Sequence, residues 1–327
     1  MSSRAGAHTR HPFAMAFALL VGACLLGVVV GGVRLSLPAL WSGSGAEGEV
    51  ARLVASIRLP RVALAGLVGA ALALSGAAMQ ALLKNPLADP FLLGTSGGAA
   101  AGAALASLAG ISPLLSPGAA FVGAAASSLA VAALARRGGR LDLQRLLLSG
   151  LIANAFFSAL LLGVFSIASA SAARTMLFWM MGSLADASFG KVAALLPWAA
   201  AGAAVLLVYA ARLNLLAVGE DSAAALGVDT ERAKRHVFLA SSLLTGAAVA
   251  FAGIIGFVGL LVPHAVRAVA GNDQRRLLPL CAVSGAALLV AADALSRAVF
   301  APAELPIGAV TATVGAPLFA WMLLREN

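Results

Sequence analysis

Charged residues are scarce in this chain: Asp, Glu, Lys and Arg make up 11% of 327 residues, where a soluble globular domain carries about 25%. So few charges exclude an ordinary water-soluble enzyme and a disordered, highly charged tail. Only two cysteines are present, Cys24 and Cys281, both inside apolar runs. That excludes a disulfide scaffold, and their separation fits neither a metal site nor a redox pair. They read as buried thiols packed as small hydrophobes. Histidine is also rare, at four residues. His264 and Arg267 follow Pro263 but do not make a metal site, so His264 reads as a hydrogen-bonded structural residue. There is no GxxxxGK[ST] phosphate loop, no HExxH helix and no GxSxG elbow. The chain therefore lacks the usual means of hydrolysing ATP, and an intramembrane enzyme would lack a recognisable nucleophile or metal constellation.

What the chain has in quantity is apolar surface. Hydrophobic residues reach 61% and the mean hydropathy is +0.98. At roughly 20 residues per membrane span, this leaves room for about ten spans and little soluble domain, so the whole of 1–327 reads as one transmembrane domain. Apolar runs fall at 13–33, 60–83, 91–110, 117–135, 144–168, 191–211, 236–255, 256–270, 277–300 and 307–324. The first is too long for a signal-peptide core and no clear cleavage site precedes Arg34. Gly253, Gly256, Gly259 and Pro263 punctuate the seventh and eighth runs, which predicts a reversal or a broken helix. One long kinked helix, giving nine spans, is the alternative.

Charge sets the expected orientation. With ten spans and a cytoplasmic N-terminus, fifteen of the 22 Lys and Arg residues fall inside, among them Arg4, Arg10, Arg136, Arg137 and Arg140. Arg34, Arg52, Arg58, Arg61, Arg174, Lys191 and Arg297 fall outside. The excess of cations in cytoplasmic loops favours this arrangement, with both termini inside, and accounts for the net charge of +9 without nucleic-acid binding.

Four polar features stand out. The inner segment 212–235 carries two apolar pieces, Leu213–Val218 and Ala223–Leu226, divided by Gly219, Glu220 and Asp221 and closed by Gly227, a good left-handed cap. It predicts two short helices on the membrane surface, either a solvated connector or a docking platform. Lys84-Asn85-Pro86-Leu87-Ala88-Asp89-Pro90 predicts a stiff turn, which as function would narrow a cytoplasmic mouth. Asp293 and Arg297, four apart, share a helix face and can pair near the outer side. Gln80 and Asn154 lie in apolar runs and are expected to bond between helices. Small residues at Gly66, Gly69, Gly98 and Gly102 permit close helix approach, as tight packing or as the wall of a cavity.

These residues resemble the large-bundle permeases of ABC importers that handle iron–siderophore complexes, haem and vitamin B12 (the FecCD type). The similar stretches are 58–102 (from RLPRVALAG to TSGGAAAG), LLLSG (146–150), FWMMGSLADAS (178–188), LAVGEDSAAALGV (216–228), GFVGLLVPHAVR (256–267) and DALSRAVFAPAELPIGAVTATVGAPLF (293–319). The resemblance implies an all-α polytopic fold of about ten helices and a homodimer in the bacterial inner membrane. It also implies two cytoplasmic ATP-binding subunits, a periplasmic substrate-binding protein, and no cofactor on this chain, ATP and Mg residing on the ATPase. By the same resemblance Arg58, Arg61 and Arg297 face acidic residues of the binding protein. Leu216, Gly219, Glu220, Ala224, Leu226 and Gly227 meet the ATPase, and Asn85, Leu87, Leu143 and Gln144 form a cytoplasmic gate. An ion- or proton-coupled secondary transporter is the rival reading, for which Asp293 alone is thin support because such proteins need buried carboxylates near the midplane.

Overall fold

A computed structural model describes residues 11–30, 54–112, 115–301 and 303–325; Arg4, Arg10, Arg34 and Arg52 lie outside them. Among these residues are α1 (Pro12–Val29), α2 (Leu59–Leu83) led in by a π turn at Val54–Arg58, and α3 (Thr95–Leu108) led in by a 3₁₀ turn at Pro90–Leu93. Next come α4 (Ser116–Leu134), a two-stranded hairpin of β1 (Arg136–Arg137) and β2 (Arg140–Leu141), α5 (Leu143–Ile167) and α6 (Ala170–Met180). The chain continues through α7 (Phe189–Val218), α8 (Glu220–Ala225), α9 (Thr230–Ala252), α10 (Val258–Ala270), α11 (Gln274–Ala298) and α12 (Ile307–Arg325). Among the described residues, seven helices are long and apolar enough to cross a bilayer. With the shorter α3, α10 and α12, the count of about ten follows the apolar runs.

The helices divide into an inner set and a jacket. In α2 78% of the apolar window is buried, in α9 72% and in α11 67%, against 22% in α5 and α7 and 11% in α1. The jacket helices leave Phe156, Leu162 and Val208 on the outside of the bundle, apolar surface of a kind that suits a membrane and not water. Inside, α2 meets its neighbours through backbone. A Cβ on Gly69 would lie 2.2 Å from the Gly285 carbonyl oxygen of α11, and one on Gly76 2.0 Å from that of Gly259 in α10. In lipid the apolar effect between helices vanishes and contact distance governs association, so these positions exclude any side chain. Gly98 and Gly102 of α3 approach Gly123 and Ala119 of α4 in the same way, while Ala100, Ala103 and Ala104 on the same helix line a cavity, so α3 serves both packing and a cavity wall.

Several expectations change in detail. The third run does not form one span: Asp89 caps the 3₁₀ turn by accepting the Phe91 N–H at 2.8 Å, Gly94 turns the chain at φ +78°, and only then does the 14-residue α3 begin. The seventh and eighth runs are separate helices. Gly253 (φ +72°) and Phe257 (φ +68°) bracket the break, and Phe257 fits in its left-handed conformation because Gly315 of α12 leaves room for it. Leu213–Val218 is not a surface helix. Nothing between Arg212 and Val218 breaks the helical ladder, so α7 runs 30 residues until Gly219 stops it; only Glu220–Ala225 forms a short separate helix. The hairpin was not foreseen, although Gly138 and Gly139, at φ +57° and +81°, are a two-residue turn of the type that joins antiparallel strands.

Candidate functional site

One end of the molecule gathers buried charge. Asp293 of α11, 1% exposed, accepts from Arg61 Nε at 2.9 Å and from Arg297 Nε at 3.0 Å. The i,i+4 pair follows from helix geometry; the second partner reaches it from the first turns of α2. Arg61 continues outward, its Nη1 donating to Glu304 at 2.9 Å in the segment between α11 and α12. The remaining donors close the end of α1. Arg297 gives Nη1 to the Val30 carbonyl at 2.8 Å and Nη2 to that of Gly27 at 2.9 Å. Arg58 gives Nη1 to the carbonyls of Val28 and Val29 at 2.6 and 2.9 Å. A helix C-terminus leaves carbonyls without intrahelical donors, and two guanidiniums supply them here.

The three arginines that the resemblance assigns to a binding protein come together here. Arg58, Arg61 and Arg297 are 4%, 6% and 5% exposed and are engaged within the chain. Their forked donors are held by the carboxylates of Asp293 and Glu304 and by the α1 carbonyls. Arg61 is the one whose partner, Glu304, stands partly in the open.

Beside this cluster lies a cavity of about 480 Å³, lined by Arg61, Trp179, Asp186, Lys191, Phe251 and Glu304 among others. Its wall is a backbone junction. Ser183 N–H donates to the Ala252 carbonyl at 2.9 Å, Ile307 N–H to that of Gly182 at 3.1 Å, and Gly308 N–H to that of Met181 at 3.1 Å. The end of α6, the break after α9 and the start of α12 therefore meet at one knot. Three positions there, Gly182, Gly253 and Gly308, face carbonyl oxygens too close for a Cβ. No local pattern in the sequence marks these three glycines as members of one junction, because they are far apart in the chain.

The opposite end carries the short helix α8. Leu216 and Ala223 are buried with Ala233 in a small cluster. Glu220 is tied by its Oε2 to Lys234 Nζ at 2.9 Å. The same ammonium, 3% exposed, donates to the Leu141 carbonyl at 2.9 Å and pairs with Glu231 at 2.5 Å. Glu231 in turn accepts the Leu141 N–H at 2.7 Å. One lysine thus joins α8, the hairpin and α9. Gly227 has φ +82° with open space around it, as expected of a cap. Val218 and Leu226, 78% and 68% exposed, stand apolar on the outside of this platform, while Ala224 sits between them in the chain on the exposed side of α8.

The expected gate residues occupy two places. Asn85 folds over the Lys84–Asp89 turn, its Oδ1 accepting the Leu87 N–H at 2.9 Å, and Leu87 is exposed. Leu143 packs on the main core and Gln144, exposed, follows the Asp142 cap of α5. Among the described residues no hydrogen bond joins the two pairs. Asn154 and Gln80 do bond between elements, Asn154 to the Phe91 carbonyl at 3.1 Å and Gln80 to that of Gly259 at 3.2 Å. His264 meets Phe319 edge-on at 5.9 Å. Among the described residues no group of three His, Cys, Asp or Glu side chains is placed to hold a metal.

A bundle with seven helices of membrane-spanning length among the described residues, an ion-paired platform at one end and a buried ion cluster at the other, is a multi-span membrane protein. Its family follows from comparison: the chain belongs to the FecCD transport family, whose model matches residues 19–325. It is 44% identical to the cobalamin import system permease BtuC of Halobacterium salinarum over 83% of this chain and 73% of the relative. It is 42% identical to the hemin transport system permease HmuU of Yersinia pestis over 94% of each. A solved structure of an ABC transporter in an inward-facing conformation superposes with a TM-score of 0.87 at 31% identity, covering 95% of this chain and 98% of that one. The protein is therefore the permease subunit of an ABC importer, and ATP is hydrolysed by a separate subunit.

Proposed function

We propose that this permease works as a homodimer in the bacterial inner membrane, with both termini in the cytoplasm, and passes an iron–siderophore complex inward by alternating access. The observation that carries the reading is the α8 platform. Glu220 is anchored to Lys234 at 2.9 Å, while Val218 and Leu226 are left apolar and exposed on its surface. A rigid, apolar patch beside an ion pair is suited to receiving a soluble ATP-binding subunit, one on each protomer. ATP and Mg belong to that subunit, and this chain holds no cofactor. Leu216, Gly219, Ala224 and Gly227 shape the patch, and movement of it would rock the inner helices and work the turn at Asn85 and Leu87 against Leu143 and Gln144.

At the other end, a periplasmic binding protein docks over Arg61, Arg58 and Arg297. Arg61 is the point of exchange, since an arriving carboxylate can take the place of Glu304 on its Nη1. Such charges steer and register a partner more than they add affinity. The cargo is assigned as an iron–siderophore complex from the family resemblance. A tetrapyrrole cargo is the second reading, favoured by the hemin and cobalamin named for the two relatives.

The test is uptake into vesicles holding the purified permease, with and without its ATP-binding subunit and binding protein. Import of a ferric siderophore that needs ATP and survives collapse of the proton gradient is the expected result. Import of hemin or cobalamin instead moves the cargo to the second reading. Transport by the permease alone, driven by a proton gradient, overturns the proposal.

A further inference from the structure

The hairpin end holds a second concavity that the transport reading does not use. Between α4 and α9 lies a notch of about 210 Å³, lined by Leu129, Ala133 and Arg136 on one side, Arg235 and Leu239 on the other, with Phe238 behind. Its walls are of two kinds. Leu129 and Leu239 are apolar and 60% and 39% exposed, on two helices long and apolar enough to cross a bilayer. Arg136 and Arg235 are exposed at the end where the helices leave the membrane.

Charge at the notch is unbalanced. Glu231 also lines it, but its carboxylate is already engaged by the Leu141 N–H at 2.7 Å and by Lys234 at 2.5 Å. The hairpin adds Arg137 and Arg140 and no acid. Neither Arg136 nor Arg235 makes an ion pair among the described residues. Two uncommitted guanidiniums above an apolar trough match a ligand with an anionic head and a hydrocarbon tail. Guanidinium forks suit phosphate oxygens, and basic pockets between membrane helices are a known mode of anionic-lipid recognition.

We propose that this notch is a binding site for an anionic phospholipid. The phosphate lies at Arg136 and Arg235, and an acyl chain runs along Leu129, Ala133 and Leu239. Occupancy would brace the hairpin whose Leu141 carbonyl receives Lys234, and so tie the lipid to the base of the α8 platform. The site rests on the chain being membrane-embedded and not on the identity of its cargo.

The test is native mass spectrometry of the purified full-length protein titrated with phosphatidylglycerol and with phosphatidylcholine. Preferential retention of phosphatidylglycerol is expected. Arg136→Gln with Arg235→Gln should weaken it about thirtyfold, from about 1 kcal/mol per surface cation, while the exposed pair Arg275→Gln with Arg276→Gln leaves it unchanged. Ala133→Phe, which fills the trough without altering charge, should also lower retention. Both altered pairs sit on the surface, so an unchanged melting midpoint in phosphatidylcholine shows that the fold survives. Equal loss in the Arg275/Arg276 variant, retention unaffected by Arg136→Gln with Arg235→Gln, or displacement by glycerol phosphate at matched concentration would each overturn the proposal. So would a loss of ATPase-subunit binding in the Arg136/Arg235 variant with lipid retention intact.

Discussion

Asp293 and Arg61, 232 positions apart in the chain, meet at 2.9 Å in a site where the carboxylate is 1% exposed. Arg297 completes the group from the next turn of α11, at 3.0 Å. Two cations around one buried anion leave a net positive charge, offset outside by Glu304 and by the carbonyls at the end of α1.

Removing the anion should therefore cost more than removing either cation. Asp293→Ala leaves both guanidiniums buried without their shared partner, and breaking a buried pair from one side costs about 3–5 kcal/mol. Arg61→Met leaves Asp293 still paired with Arg297 and should cost less. Thermal midpoints of the purified protein in detergent check this. Asp293→Ala should show the larger drop, and combining it with Arg297→Met should recover part of it. A midpoint for Asp293→Ala equal to the parent's would show that the cluster does not hold α2, α11 and the end of α1 together.

The lysine hub gives a second prediction, local rather than global. Lys234→Met keeps the buried stem but removes the bonds to Leu141, Glu220 and Glu231. Glu220 and Glu231 are 40% and 26% exposed, so water can re-solvate them, and the loss should be about 1–3 kcal/mol. Hydrogen exchange across residues 219–227 should quicken roughly tenfold or more, with the melting midpoint little changed. With the ATP-binding subunit present, ATP hydrolysis should become less dependent on cargo. Unchanged exchange in α8 would mean that its position is set by Leu216 and Ala223 packing alone.

Local features were the legible ones. Asp293–Arg297 is an i,i+4 pair, Gly227 a cap, and the glycines around 253–259 a break, because each depends on neighbours a few residues away. Arg61–Asp293 was not legible, since nothing in either segment encodes the depth at which α2 and α11 cross. That depth is set by Gly69 against Gly285, a contact visible only once the helices are placed. The arginines read as an outer rim because hydropathy assigns a side of the membrane but not a partner. The hairpin has a signal in Gly138-Gly139, but its strands are two residues each, too short to leave any hydropathy pattern. The α7 boundary was missed for the opposite reason: Arg212 and Asn214 look like a membrane exit, yet polar side chains do not stop a helix. Arg212 instead lies over the Tyr209 ring at 4.7 Å and Asn214 bonds Asp273 at 2.7 Å, so the helix carries on outside the apolar zone.

Asp89 yields a pH prediction with a definite sign. Burial raises its carboxyl from 3.8 to about 6, against the opposing pull of the Phe91 N–H. The folded state therefore holds the proton more tightly than the unfolded chain does. Its contribution to stability is fully present below about pH 4 and is lost as the pH rises through about 6. At neutral pH the ionised group works against the fold by at most on the order of 3 kcal/mol, from roughly two pKa units. Asp89→Asn keeps an acceptor for the Phe91 N–H and cannot ionise. The variant should melt higher than the parent at pH 7.5, and the gap should narrow to about half by pH 5 and close near pH 4. A gap that is constant across that range would show that the carboxyl stays hydrated and that the turn before Pro90 gains nothing from a proton. A gap of the opposite sign at pH 7.5 would show that the charge itself holds the 3₁₀ turn, through a bond to the backbone stronger than the burial it opposes.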